Sequence, residues 1–137
     1  MMDLVHEIPG KLRVHWINDV KAILDTWQSY FVTLTQFREA VMDKGLTHAR
    51  AYMGKAWIVD SSKAKGAFPE EIQHFIETEC LPAFAKHGIR HFMTISSASA
   101  VTNLSIGNYT SKLGPAGIQL VEAVSVDGAV KWLSANS

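Results

Sequence analysis

The spacing of apolar and polar positions near the start of the chain predicts an antiparallel pair of strands. Pro9-Gly10, a pair typical of a type II turn, separates two stretches of alternating polarity, so we expect strands near residues 3–8 and 11–17. Residues 21–31 have apolar side chains at spacings that suit either a strand or a helix. Their β-branched and aromatic content and their closeness to the preceding strand favour a third strand.

A helix start follows directly. Thr33 and Gln36 have the spacing of a capping box, in which each side chain can bond the backbone amide of the other residue. Apolar residues then recur at helical spacing, which predicts a helix from residue 34 to about 52. Gly45 should weaken the middle of this helix by ~1 kcal/mol relative to alanine, and Gly54 should end it.

The rest of the chain alternates strands with helices. The apolar run at residues 55–62 suits a strand that is buried on both faces. Pro69 suits the first position of the next helix, which Pro82 should kink or split and Gly88 should end. The remaining predicted elements are a strand at 89–95, a weaker helix from about 99 to 113, a strand at 118–124 and a last helix capped by Ser125.

This order of elements predicts the fold class. Three strands followed by three α-β repeats and a last helix imply an α/β domain with a mixed sheet, antiparallel in its N-terminal part and parallel in its second half. About four helices should pack on that sheet. No linker, low-complexity tract or repeat divides the chain, so we expect a single domain over residues 1–137.

Composition narrows the class of partner and the compartment. Thirteen basic residues balance thirteen acidic ones and no basic stripe is present, so a nucleic-acid partner is not expected. The charged fraction of 19% is low, which indicates self-association, with a homodimer as the expected form. A single cysteine, no signal-peptide pattern and no apolar run near the ~20 residues of a membrane span predict a cytoplasmic protein.

Motifs for catalysis or cofactor binding are missing from the sequence. No glycine-rich phosphate loop, nucleophile elbow or HExxH motif occurs. Of the six histidines only His87 and His91 have a ligand-like spacing, and Gly88 between them keeps them off a shared helical face. Cys80 lies in apolar company, so we expect a buried, unreactive thiol. We therefore expect no metal, no cofactor and no catalytic residue.

The turn after the predicted buried strand contains the most promising group of polar side chains. Asp60, Ser61 and Ser62 lie where this strand should leave the sheet, and ligands of open α/β sheets bind beyond the carboxyl ends of parallel strands. An exposed hydroxyl there, near a helix N-terminus, can accept a phosphoryl group. Lys63 and Lys65 would add charge-assisted donors. Alternatively, Asp60 and Ser61 satisfy backbone groups of the turn.

Aromatic side chains are the second unusual feature. The chain has four tryptophans, Trp16, Trp27, Trp57 and Trp132. They suit a hydrophobic core, but the same residues can line a pocket for an apolar ligand. The helix that contains Pro82 is rich in aromatic residues, and the proline could let it swing away from the sheet. The candidate pocket residues are Trp57, Phe68, Phe75, Ile76 and Phe84.

The order of elements, with the strand WIVDSS followed by a helix, resembles the STAS-like (SpoIIAA-like) domain family. These small bacterial domains are related in fold to anti-sigma-factor antagonists and in part to the lipid-carrying CRAL-TRIO domains. The likeness covers residues 4–133, and the segment TWQSYFVTLTQFREAV, a strand and then a capped helix, looks similar to the same stretch of that family. The resemblance implies a mixed sheet of STAS-like type.

The resemblance also implies a role for the polar turn. In the antagonists, a serine within an Asp-Ser-Ser-Gly-like turn is phosphorylated by a partner kinase. Asp60-Ser61-Ser62 matches the first three positions of that turn. Lys63 stands in place of the glycine, and a longer loop delays the following helix to Pro69.

Three functions follow from these observations. The leading hypothesis is a non-enzymatic regulatory or interaction domain of bacterial STAS-like type, which binds a protein partner. The alternative is a carrier or sensor of a lipid or other apolar small molecule, acting in peripheral contact with a membrane surface. The least favoured hypothesis is a small enzyme with its site at a dimer interface and with His91 or Asp60 as the base.

Overall fold

One six-stranded sheet forms the centre of the computed structural model, which describes residues 2–66, 68–95 and 118–136. The strands lie side by side in chain order: β1 (Met2–Ile8), β2 (Leu12–Ile17), β3 (Ala22–Trp27), β4 (Ala56–Asp60), β5 (His91–Ile95) and β6 (Gln119–Ala123). Strands β1 to β3 are antiparallel, whereas β3 to β6 are parallel. The predicted mixed sheet is confirmed, and so is the predicted strand within residues 21–31.

Three helices belong to the described residues. Helix α1 spans residues 34–51, α2 spans residues 70–86 and α3 is Val126–Asn136. The weaker helix predicted from about 99 to 113 lies outside the described residues. None of the helices in the described ranges is long and apolar enough to cross a membrane.

The helix starts that the sequence predicts are present in the structure. The Gln36 amide donates to Thr33 Oγ1 at 3.0 Å, and the Thr33 amide donates to Gln36 Oε1 at 2.9 Å, so the capping box is confirmed. Ser125 Oγ accepts from the Gly128 amide at 3.0 Å at the start of α3, as predicted. Pro69 lies one position earlier than expected, because it flanks α2 as the N-cap residue.

Both long helices contain a wider, π-helical segment. The segment is Glu39–Leu46 in α1 and Ile76–Cys80 in α2. In α2 it comes directly before Pro82, which has no amide hydrogen and whose ring would collide with the carbonyl of residue 78 in a regular α-helix. The helix is therefore not split at Pro82, because the wider turn accommodates the proline and the backbone stays helical.

The three central strands present two different buried faces, because side chains alternate along a strand. Helices α1 and α2 cover one face, which we call the paired-helix face, and α3 covers the other, the single-helix face. The paired-helix face of β3–β5 consists of Ile23, Asp25, Trp27, Trp57, Val59, Phe92 and Thr94. The single-helix face consists of Ala22, Leu24, Ala56, Ile58, Met93 and Ile95.

Candidate functional site

A cavity of about 40 Å³ lies between the paired-helix face and the two helices that cover it. Its wall is formed by Asp25, Trp27, Tyr30, Phe37, Val41, Trp57, Val59, Phe68, Ile76, Cys80, Phe84, Phe92 and Thr94. Both π-helical segments contribute to this wall, through Val41 in α1 and through Ile76 and Cys80 in α2. Such segments are often found at functional sites.

Two of the polar side chains in this mostly apolar wall lie on the sheet. Asp25 on β3 pairs with Val59 on β4, and Val59 pairs with Thr94 on β5, so the three residues form one row across the sheet. We call this row the polar row. Asp25 is only 2% exposed and Thr94 only 3%. The polar row therefore holds a carboxyl and a hydroxyl group at positions where the strand pattern otherwise places apolar side chains.

Only part of the hydrogen-bonding capacity of these two groups is used. Trp57 Nε1 donates to Asp25 Oδ2 at 2.8 Å. Asp25 Oδ1 and Thr94 Oγ1 are buried and have no hydrogen-bond partner among the described residues. Gly45 on α1 makes room for the tryptophan, since a Cβ there would lie 2.9 Å from Trp57 Cη2. Buried polar atoms nearly always have a hydrogen-bond partner, so these two oxygens are exceptions that require an explanation.

The environment of Asp25 changes its acidity. Burial raises the pKa of its carboxyl group from the ordinary value of 3.8 to about 7, although the hydrogen bond from Trp57 acts in the opposite direction. Burial also raises the pKa of Tyr30 and of the Cys80 thiol, with a smaller contribution from Asp25 in each case. Among the described residues that line the cavity, Asp25 is thus the group that changes charge near neutral pH. The expected buried thiol of Cys80 is confirmed.

Ser61 lies at the edge of this cavity and is not exposed. Its hydroxyl forms a buried hydrogen bond with the hydroxyl of Tyr30, a cavity residue. The expectation of an exposed hydroxyl at this position is therefore wrong, because the loop after β4 folds back beside residues 28–30. The Tyr30 amide donates to the Lys65 carbonyl at 3.0 Å in this pairing.

The rest of the predicted polar turn lies away from the cavity. Asp60 Oδ1 accepts from the Ser62 amide at 3.0 Å and from the Ser62 hydroxyl at 2.7 Å. This is the turn-stabilising arrangement that was the alternative interpretation of Asp60. Ser62, Lys63 and Lys65 are exposed. The structure brings Asp60 and Ser62 together, but not with the two unpartnered oxygens of the polar row.

The predicted apolar residues are closer to the cavity than the polar ones. Trp57, Phe68, Ile76 and Phe84 line it, whereas Phe75 does not. Phe75 packs edge-on against Phe37, with ring centroids 6.1 Å apart, and carries the Arg38 guanidinium 5.3 Å from its ring centroid. Sequence reasoning missed Asp25, Tyr30 and Thr94. The sequence signal for Asp25 and Thr94 is a polar residue within a strand whose two faces are both buried.

His87 and His91 lie in a second, open groove of about 490 Å³ at the other end of the strands. Partial burial lowers the pKa of His91, and the nearby Arg90 adds to this effect. Arg50 and His87 stand at the carboxyl ends of α1 and α2, where the helix dipole favours positive charge. Within the described residues, no group of three or more His, Cys, Asp or Glu side chains could hold a metal ion.

The chain matches no protein-family model, no curated protein and no solved structure.

Proposed function

We propose that this protein is a non-catalytic binding module that holds a small molecule in the cavity under α1 and α2. The ligand is apolar except for one group that forms hydrogen bonds. The observation that carries this proposal is the pair of buried, unpartnered oxygens, Asp25 Oδ1 and Thr94 Oγ1, in an otherwise apolar wall. Small-molecule sites have this composition, with a few convergent polar groups among apolar and aromatic side chains.

The size of the cavity limits the part of the ligand that it encloses. A cavity of roughly 150 Å³ holds benzene in another protein, so the 40 Å³ found here accepts only a small head group. A larger ligand has to displace α2. That helix is the suitable one to move, because its π-helical segment lines the cavity directly before Pro82 and the last turns of the helix can shift there.

Binding rather than catalysis fits the other groups at the cavity. Burial raises the pKa of Tyr30 and of Cys80, so both remain protonated near neutral pH and neither supplies an anionic nucleophile. We therefore retain the non-enzymatic assignment within the proposal. The STAS-like family also belongs to the proposal, supported by the antiparallel-then-parallel sheet in chain order and by a helix that follows β4.

A protein partner is the second candidate, and one surface residue favours it. Phe31 is 65% exposed and directly follows Tyr30, which lines the cavity. Lys11 Nζ lies 6.0 Å from the Phe31 ring centroid. A ligand that moves Tyr30 would also move this exposed ring. Cross-linking of the wild type and of Phe31→Ser in cell extract tests this candidate. A partner protein that cross-links to the wild type but not to Phe31→Ser would support it.

Native mass spectrometry of protein purified from the cells that produce it tests the main proposal. We expect a one-to-one adduct with a small molecule that is released on unfolding. Val59→Leu fills the cavity from the middle of the polar row and should remove the adduct. Ile58→Leu, on the opposite face of the same strand, is the matched control and should keep it. The absence of an adduct, or an adduct that Val59→Leu retains, contradicts the proposal.

A further inference from the structure

The wall of the cavity consists mainly of aromatic rings. Seven rings line it, those of Trp27, Tyr30, Phe37, Trp57, Phe68, Phe84 and Phe92. Phe68 joins the rings on one side, with its centroid 4.0 Å from that of Tyr30 and 5.0 Å from that of Trp27. Trp57 stacks on Phe84 at 4.2 Å on the other side. Aromatic faces attract cations, and cavities walled by several rings are typical of sites for organic ammonium groups.

Asp25 is the one carboxyl group among the described residues that line the cavity, and none of the other described lining residues is a lysine, arginine or histidine. The other titratable groups that face Asp25 are Tyr30, on the segment after β3, and Cys80, on α2. Asp60 and Glu79 act on these two groups and add only negative charge. An ionised carboxylate at this position is therefore a buried, uncompensated charge, which proteins normally pair.

We propose that the head group bound in this cavity is a small organic ammonium ion, paired with the Asp25 carboxylate and enclosed by the aromatic rings. Its N–H groups donate to Asp25 Oδ1, and Thr94 Oγ1, two strands away in the same wall, is a second acceptor without a partner among the described residues. A volume of about 40 Å³ suits an ammonium nitrogen with one or two carbon atoms better than a bulky or anionic group. This inference rests on the proposed binding function and specifies the chemical class of its ligand.

Binding of a cation should be coupled to loss of a proton. Burial raises the pKa of Asp25 to about 7, and a bound ammonium ion favours the ionised form of the carboxyl group. The affinity should therefore be nearly constant above the pKa of the free protein. Below that pKa it should fall by about tenfold for each pH unit, because the ligand must displace a proton. A neutral ligand has no such requirement.

Ethylammonium chloride is a suitable probe, with ethanol as the neutral molecule of equal heavy-atom number and potassium chloride as the salt control. Three heavy atoms support a dissociation constant on the order of 1 mM at best. Titrations of the whole chain at pH 8 and pH 6 can be followed by NMR through the indole Nε1–H signals of Trp27 and Trp57, which line the cavity. We expect saturable binding of ethylammonium at pH 8 and about tenfold weaker binding at pH 6.

Two variants identify the carboxylate. Asp25→Asn keeps the shape of the side chain and an acceptor for Trp57 but removes the charge, so ethylammonium binding should be lost. Asp60→Asn removes a carboxylate that does not line the cavity and should bind ethylammonium as the wild type does. The comparison of the two pH values in the wild type gives the same information if Asp25→Asn folds poorly.

Several results would overturn the inference, and they differ from those that would remove the proposed function. Equal binding of ethanol, equal affinity at both pH values, or displacement by potassium at the same concentration would exclude an organic cation. A co-purified neutral molecule that Val59→Leu loses would then leave the binding function in place. No saturable binding of ethylammonium at either pH overturns the inference directly.

Discussion

The two faces of the central strands bury side chains of different kinds, although both faces are covered by helices. On the single-helix face, Leu24, Ile58 and Met93 form an apolar row across β3, β4 and β5, and all three are buried. The polar row lies one residue further along each strand, on the paired-helix face. It contains two unpartnered polar groups and borders a cavity.

This contrast concerns two buried faces of one sheet. Because both faces are buried, exposure to bulk solvent does not explain why Asp25 and Thr94 are polar. A buried carboxyl group with a free oxygen lowers the stability of the fold, since no partner compensates its lost hydration. Groups of this kind, with a strongly shifted pKa and a cavity beside them, are typical of functional sites. The apolar row stabilises the sheet, whereas the polar row is the place where we propose that a ligand binds.

The largest expected effect is on the pH dependence of stability at Asp25. Its pKa is raised to about 7 in the folded protein, so the stabilisation present at acidic pH is lost as the pH rises through that value. The loss for the wild type between pH 4 and pH 8 amounts to about 4 kcal/mol. Asp25→Asn should not show this loss of stability, because the amide group does not ionise.

Urea unfolding at pH 4, 6 and 8 measures this difference. The stability of Asp25→Asn relative to the wild type should rise steadily over this range. Leu24→Val, on the opposite face of the same strand, is the control, because it changes stability by the same amount at each pH. If the stabilities of Asp25→Asn and the wild type change equally with pH, the carboxyl group is exposed to water, contrary to the structure.

The apolar row should respond to truncation instead. Ile58 is fully buried in the cluster that α3 covers, so Ile58→Ala should reduce the free energy of unfolding by roughly 2–5 kcal/mol, independently of pH. Leu4→Ala changes an exposed side chain on β1 and should stay within about 0.5 kcal/mol. A loss below about 1 kcal/mol for Ile58→Ala would mean that the single-helix face is not close-packed.

Local patterns in the sequence predict the elements of this fold well, for identifiable reasons. The capping box at Thr33 and Gln36 and the cap at Ser125 depend on neighbouring residues, and both are present in the structure. The sequence of residues 21–31 also suits a helix, because Ile23, Trp27 and Tyr30 lie at helical spacing. The segment forms a strand because it pairs with β2 on one side and β4 on the other, and β4 lies far away in the sequence.

The candidate site could be predicted only in part. Four of the five proposed pocket residues line the cavity, because the apolar side of α2, with Ile76 and Phe84, packs on the strand that carries Trp57. Asp25 was missed because a carboxyl group in a strand normally faces water. Recognising it requires knowing that helices cover both faces of β3. The exposure of Ser61 was misjudged for a related reason, since its loop folds back beside Tyr30.

Gly45 supports the polar row from the helix side, and an added methyl group there should show it. The new Cβ would lie 2.9 Å from Trp57 Cη2, which costs roughly 1–3 kcal/mol of overpacking, while alanine gains ~1 kcal/mol in helix propensity. We expect Gly45→Ala to lose about 1 kcal/mol of stability and to shift the indole N–H signal of Trp57. Lys44→Ala, at the exposed position directly before Gly45, should change neither the stability nor the Trp57 signal. An unchanged Trp57 signal in Gly45→Ala would contradict the close contact.

The smallest effect is expected at the other end of the polar row, and its sign is informative. Thr94→Val exchanges a buried hydroxyl without a partner for a methyl group of the same shape, so it should gain up to about 1 kcal/mol. Ser61→Ala also removes a buried hydroxyl, but that hydroxyl is bonded to Tyr30, so stability should fall by roughly 1–3 kcal/mol. Urea unfolding of both variants at one pH gives the two signs. A loss of stability in Thr94→Val would mean that its hydroxyl already has a partner, and the polar row would then offer a ligand only the oxygen of Asp25.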